Sequence, residues 1–271
     1  MTPQPPPQGV RPDGTIAREG SLERIPSAFA PVITALRTRL PRLFGPRLHS
    51  AYLYGSIPRG TATPTTSDLD ALALLHTPPT AHDQARAQEL MTQLDADFTT
   101  INGGGILLEH TTSMLRPLSE QDGGFFVACL CTPLLGPDLA EQLPTYRPDS
   151  LLARQTNGDL HLVLPRWRHA LNRADTDTTS LARRVGRRLV RTGFTLVMPT
   201  WGGWTSDLDL ATDVFGHYHP QRHHQMRAAA HTAHHPGADP AHLHELVEDL
   251  APWLETTYTA THGRKHRPDT S

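Results

Sequence analysis

The sequence is short of several features that would define common classes of protein. Lys265 is its single lysine among 25 basic residues, which excludes the lysine-dependent phosphate-binding P-loop. Its two cysteines, Cys129 and Cys131, lie two positions apart in an apolar run, so neither a disulfide framework nor a zinc site is expected. No apolar run approaches the roughly 20 residues that cross a bilayer, and the first residues lack a signal-peptide core. These absences predict a cytoplasmic protein.

Length and charge set further bounds. A chain of 271 residues forms one large domain or two modest ones. The net charge of −2 gives no global field that favours nucleic acid or an acidic membrane. Composition predicts a disordered leader over residues 1–24, a first domain over 25–145, a helical domain over 150–260 and a mobile tail over 261–271.

The most informative stretch runs from Ala51 to Leu75. A short apolar run that ends at Tyr54 predicts a strand, and the Gly55-Ser56 pair stops it. Eleven residues then separate Ser56 from Asp68-Leu69-Asp70, which opens a second apolar run. This order predicts two strands that are joined through a tight turn, with two carboxylates at the start of the second strand.

The chemistry of this stretch follows from strand geometry. Residues two apart in a strand point to the same face, so Asp68 and Asp70 are expected side by side, with Leu69 buried opposite. Adjacent carboxylates repel each other unless a cation lies between them, and oxygen ligands suit Mg²⁺. A Gly-Ser turn lets backbone N–H groups and a hydroxyl approach a phosphate. The stretch therefore predicts a site for a metal ion and a nucleotide.

The ordered set of Gly55-Ser56, Arg59-Gly60 and Ser67-Asp68-Leu69-Asp70 resembles the nucleotidyltransferase superfamily, which includes DNA polymerase β and the aminoglycoside nucleotidyltransferases. The resemblance implies an α+β fold, in which a mixed-sheet nucleotidyltransferase domain precedes an all-helical C-terminal domain. It also implies transfer of AMP from ATP to a hydroxyl of an aminoglycoside-like small molecule, with release of pyrophosphate. Asp68 and Asp70 would hold two Mg²⁺ ions, and the nucleotide would be bound by Gly55, Ser56, Arg59 and Ser67.

A third acid is expected on a neighbouring strand. Residues 106–114 are predicted to form that strand, and Glu109 lies in its middle. The resemblance implies that Glu109 is a third metal ligand, the base for the accepting hydroxyl, or both. The alternative is a glutamate that faces solvent from an edge strand. His110, the next residue, faces the other way and is expected to be structural.

The remaining pattern predicts mostly helices. They are expected at 27–44, at 81–98 with Thr80 as its cap, at 160–174, at 179–198 and at 240–257. The apolar run Phe125–Cys131 predicts a fourth strand. The glycines at 103–105 form either a phosphate-binding loop or a connection, and the connection is favoured because no helix follows them.

Three further features leave alternatives open. Ser206-Asp207-Leu208-Asp209 repeats the earlier motif but lacks a preceding strand and turn, so we interpret it as a helix cap or as part of a site for a cationic acceptor. The arginines of the 179–198 helix serve either a triphosphate or solvent. The nine histidines from His217 to His244 include i,i+4 pairs that suit Zn²⁺, although a surface role is favoured.

Two other functions compete with small-molecule transfer. One is an antitoxin-type regulatory protein that AMPylates or binds a partner protein, and the other is a nucleotide-binding module without catalysis. Binding of nucleic acid is not expected, and the sequence does not indicate an oligomeric state.

Overall fold

Two strands, β1 (Leu48–Tyr54) and β2 (Leu69–Leu75), form the centre of a mixed sheet, and most of their residues are buried. They belong to a computed structural model that describes residues 5–173, 175–237 and 240–265. The sheet has the order β3-β2-β1-β4, with β3 at Gly104–His110 and β4 at Thr132–Leu135. β1 is antiparallel to β2 and β4, whereas β2 is parallel to β3. The predicted mixed sheet is confirmed.

The sheet belongs to a unit of residues 17–146, in which helices cover both faces. Its helices are α1 (Ala30–Phe44), α2 (Ser56–Arg59), α3 (Ala81–Asp97), α4 (Thr111–Met114) and α5 (Gly123–Phe125), which continues as a π-helix over Phe126–Leu130. Leu36 of α1 and Leu94 of α3 join the core on one face, and Val127 joins the smaller cluster on the other. Thr80 caps α3 through a capping box with Asp83, as the sequence predicts.

The second unit is helical and consists of residues up to Ile16 together with those from Arg147 onward. Its helices are α6 (Ser150–Asn157), α7 (Leu160–Leu171), α8 (Thr178–Trp201), α9 (Leu208–Tyr218), α10 (His223–His234), α11 (Pro240–Glu245), a π-helix (Leu246–Leu250) and α12 (Ala251–His262). The sheet-containing unit followed by helices confirms the predicted α+β class. Among the described residues, no helix has both the length and the apolar character of a membrane span.

Two strand predictions need correction. Residues Phe125–Leu130 are helical, and the fourth strand begins only at Thr132. A short apolar run without alternation fits a buried helix as well as a strand, so the pattern alone could not decide between them. The third strand ends at His110, whose side chain accepts a hydrogen bond from the Ser113 N–H and caps the short helix α4.

Residues 5–24, which were predicted to belong to a disordered leader, make specific contacts in the structure. Ile16 is buried, Trp201 donates its indole N–H to the Pro5 carbonyl, and Ser21 donates its N–H to the Pro58 carbonyl. Hydrogen bonds to residues that are distant in the sequence hold this segment in place. Amino-acid composition alone does not predict such bonds. In the predicted tail, His262 is buried in α12, whereas residues 266–271 lie outside the described part of the chain.

Candidate active site

The turn after β1 brings the Gly-Ser pair against an aspartate. Gly55 has φ of 82°, a conformation that disfavours residues with a side chain. A Cβ atom at Gly55 would also lie only 2.7 Å from Asp70 Oδ2, so the missing side chain leaves room for the carboxylate. Ser56 then begins the short helix α2. The predicted neighbours Gly55 and Asp70 therefore meet at the end of β1.

The aspartate pair lies where β2 begins. Asp68 directly precedes the strand and Asp70 is its second residue, while Leu69 between them is fully buried. Both aspartates are half-buried. Alternation along the chain thus buries the leucine on one side and leaves two oxygen-bearing side chains near the other.

Ser67 stabilises the loop that precedes Asp68 and Asp70. Its hydroxyl accepts a hydrogen bond from the Thr63 N–H at 2.9 Å, and its own N–H donates to the Thr63 carbonyl at 3.0 Å. Within this loop Thr65 adopts φ of 67°, and its N–H donates to the Thr100 carbonyl. The loop that leads into Asp68 is therefore held from both sides.

Glu109 lies on the expected neighbouring strand but not beside the aspartates. In the parallel β2–β3 register, Asp70 pairs with Gly105, whereas Glu109 pairs with Leu74. Four residues of strand correspond to about 13 Å. The Glu109 carboxylate instead accepts a hydrogen bond from the Ser113 hydroxyl at 3.0 Å. Adjacent strands were predicted, but the register that separates these acids was not.

The ligating side chains that are present indicate which metal ion this site could hold. Among the described residues, no group of three or more His, Cys, Asp or Glu side chains is placed to hold a metal. Asp68 and Asp70 remain as two half-buried carboxylates. Mg²⁺ is commonly held by one or two carboxylates together with substrate phosphates and water, so this pair suits Mg²⁺ better than a zinc ion that needs a full protein shell.

Arg59, the last residue of α2, has an acidic neighbour. Its guanidinium lies 3.6 Å from the Glu19 carboxylate. Both side chains are largely covered, with exposed fractions of 30% for Arg59 and 13% for Glu19. The partner of Arg59 therefore comes from a segment that was predicted to be disordered.

Tyr54 is a residue of this site that sequence reasoning missed. It pairs with Asp70 across the sheet, and its ring packs edge-on against Phe126. Burial, with smaller contributions from Asp70 and Cys131, raises the pKa of its hydroxyl well above the usual range. Tyr54 also lines a cavity of about 440 Å³ together with Gly103–Gly105 and polar side chains of α3. The sequence signal that could have identified Tyr54 is its place directly before Gly55, at the end of the predicted strand.

The second copy of the motif lies in the helical unit and has a different structure. The Asp207 carboxylate caps α9 by accepting a hydrogen bond from the Leu210 N–H at 2.8 Å, so the predicted helix cap is confirmed. Asp209 lies in the first turn of α9, 3.6 Å from the His234 ring. His231 and His235 stack with ring centroids 4.7 Å apart, yet no described set of three ligands is placed for zinc.

Comparison with known proteins addresses the fold. No protein-family model matches the chain, and a search of curated proteins finds no match. Among solved structures, the chain is similar to the spectinomycin adenyltransferase AAD(9) from Enterococcus faecialis, solved with ATP and spectinomycin. The TM-score is 0.54 at 17% identity, over 84% of this chain and 98% of the other. The chain therefore shares its fold with this adenyltransferase, in agreement with the fold that the motif predicts.

Proposed function

We propose that the protein transfers a nucleoside monophosphate, AMP from ATP, to a hydroxyl of a small amine-bearing acceptor, and releases pyrophosphate. The observation that carries this proposal is the contact between Gly55 and the Asp70 carboxylate within a nucleotidyltransferase fold. The similar adenyltransferase was solved with ATP and spectinomycin, which supports ATP as donor and an aminocyclitol as the class of acceptor. Cys129 and Cys131 are buried and are not joined in a disulfide, which is compatible with a reducing cytoplasm.

The roles of the residues follow from their positions. Asp68 and Asp70 would hold Mg²⁺, with two ions implied by the resemblance, and the bound metal would neutralise phosphate charge. Gly55 and Ser56 would approach the phosphates through backbone N–H groups and a hydroxyl, because no side chain at Gly55 intervenes. Arg59 would contribute a guanidinium for phosphate oxygens. Ser67 would act by holding the loop that leads into Asp68.

Glu109 is a weaker candidate for the base than the sequence implies. Its register position lies about 13 Å along the strand from Asp70. We therefore assign the aspartates, and not Glu109, to the metal.

The test is incubation of the protein with α-labelled ATP, Mg²⁺ and a panel of aminocyclitols and aminoglycosides that includes spectinomycin. We expect label on one of the small molecules together with stoichiometric pyrophosphate. Label on protein instead would favour the regulatory, AMPylating function. ATP binding without any product, or wild-type turnover by Asp70→Asn, would contradict the proposal. Asp209→Asn, which changes the same residue type in the second motif copy, is the matched control.

A further inference from the structure

The segment of residues 17–25 packs against α2, the short helix that follows the Gly-Ser turn. The Ser21 N–H donates to the Pro58 carbonyl of α2 at 2.9 Å. A Cβ atom at Gly60 would lie 2.8 Å from the Arg24 carbonyl oxygen, so the two backbones approach closely at the C-terminal end of the same short helix. The segment therefore contacts α2 at two points, one on each side of Arg59.

This segment is itself fixed to the sheet-containing unit. The Glu19 N–H donates to the Cys129 carbonyl at 2.9 Å, and Arg18 donates its Nε–H to the Ala128 carbonyl at 3.1 Å. Arg18 also forms an ion pair with Asp138 at 2.8 Å. The Glu19 carboxylate, which lies 3.6 Å from Arg59, thus projects from a backbone that is anchored independently of α2.

We propose that Glu19 is a positioning residue that orients the Arg59 guanidinium toward the triphosphate. This inference rests on the proposed function and names a residue that the motif does not contain. A mobile arginine side chain loses rotamer entropy when it binds a phosphate, and holding it in place before substrate arrives removes part of that cost. A carboxylate beside a phosphate-binding arginine also lowers the local positive charge. Its benefit must therefore lie in orientation rather than in ground-state attraction.

These opposing effects predict a split between binding and turnover. Glu19→Gln keeps the shape but removes the charge, so Mg-ATP should bind as well as before or more tightly. Turnover should fall about tenfold, because misplacement of a group by 1 Å can cost as much as 10²-fold. Glu19→Asp keeps the charge on a shorter side chain and should restore part of the turnover. In an Arg59→Gln background, Glu19→Gln should have no further effect on turnover.

The experiment combines this double-mutant cycle with Mg-ATP affinity, turnover and hydrogen exchange of the Arg59 guanidinium followed by NMR. Glu23→Gln is the control, since Glu23 is an exposed glutamate of the same segment. Equal losses from Glu19→Gln in both backgrounds, or a rise in the Mg-ATP Kd that accounts for the whole loss, would overturn the inference.

The exchange measurement separates the two proposals. If the wild-type protein transfers nothing to any acceptor, the proposed function fails, yet the exchange still reports on positioning. Faster exchange of the Arg59 guanidinium protons in Glu19→Gln, but not in Glu23→Gln, would then support the role of Glu19 in holding that side chain. Unchanged exchange in both variants would overturn it.

Discussion

The four-residue text Ser-Asp-Leu-Asp occurs twice in this chain and adopts two different structures. At 67–70 it enters a buried strand, with Asp70 against Gly55. At 206–209 it begins helix α9, with Asp207 as the cap. The letters are identical, so the difference comes from what surrounds them. The first copy follows a strand and a Gly-Ser turn, whereas the second follows the end of a long helix at Trp201.

The geometry of each element decides what the two carboxylates can do together. In a strand, residues i and i+2 point to the same side, which suits a shared cation. In a helix of 3.6 residues per turn, the same two residues point in nearly opposite directions. Asp207 therefore bonds to the backbone of its own helix, while Asp209 lies near His234. The strand arrangement from which a two-carboxylate site is predicted is therefore present at the first copy and absent at the second.

The largest expected effect comes from Asp70→Asn in the first copy. Turnover should fall by about 10²–10³ or more, since metal stabilisation of charge in the transition state is worth several kcal/mol. Without metal, the melting temperature should stay the same or rise, because the repulsion with Asp68 is relieved. Product formation from labelled ATP and thermal unfolding measure the two quantities. Asp209→Asn should leave turnover within a few-fold, and equal losses in both variants would abolish the distinction between the copies.

Gly55→Ala should have the next largest effect, with Gly202→Ala as a control. Both glycines have φ near 80°, but Gly202 has ψ of 19°, in the left-handed helical region, whereas Gly55 has ψ of −153°, a region that is open essentially to glycine alone. Alanine is therefore strained at both positions, by about 1–2 kcal/mol at Gly202 and by more at Gly55. The added Cβ at Gly55 meets Asp70 Oδ2, whereas at Gly202 it meets no atom within 4 Å. Both variants should unfold at lower temperature, but only Gly55→Ala should lose most of its turnover. A comparable loss in Gly202→Ala would mean that strain, and not the displaced carboxylate, is responsible.

Asp207→Ala should lower the thermal stability of the protein without changing its turnover. Loss of the helix cap costs about 1 kcal/mol, which corresponds to a fall in melting temperature of about 2–4 °C for a domain of this size. Mg-ATP affinity should not change. Calorimetry and a nucleotide titration test this, with Asp207→Asn as the control, because asparagine also caps helices. A weakened Mg-ATP affinity in Asp207→Ala would show that the second copy takes part in nucleotide binding.

The sequence predicted the centre of the site better than its surroundings. The meeting of Gly55 with Asp70 depends on local spacing and strand alternation, and both can be read along the chain. The register that pairs Glu109 with Leu74 depends on how β3 slides along β2, which no local pattern specifies. The role of Glu19 was hidden for a related reason. Its segment is held by hydrogen bonds to Pro58 and Cys129, which are distant in the sequence.

The smallest effect is expected from Glu109→Gln, which tests whether the first copy of the motif extends onto the neighbouring strand. Because Glu109 pairs with Leu74 and accepts a hydrogen bond from Ser113, its conversion to an amide should change turnover less than about threefold. Mg-ATP affinity should also be unchanged. Steady-state kinetics with saturating Mg-ATP measure the effect, and Ser113→Ala is the control for loss of the local hydrogen bond. A fall in kcat of about 10²–10⁴ with unchanged affinity would instead identify Glu109 as a general base. That result would mean that the acceptor binds between the two acids, with its hydroxyl within hydrogen-bond reach of the Glu109 carboxylate.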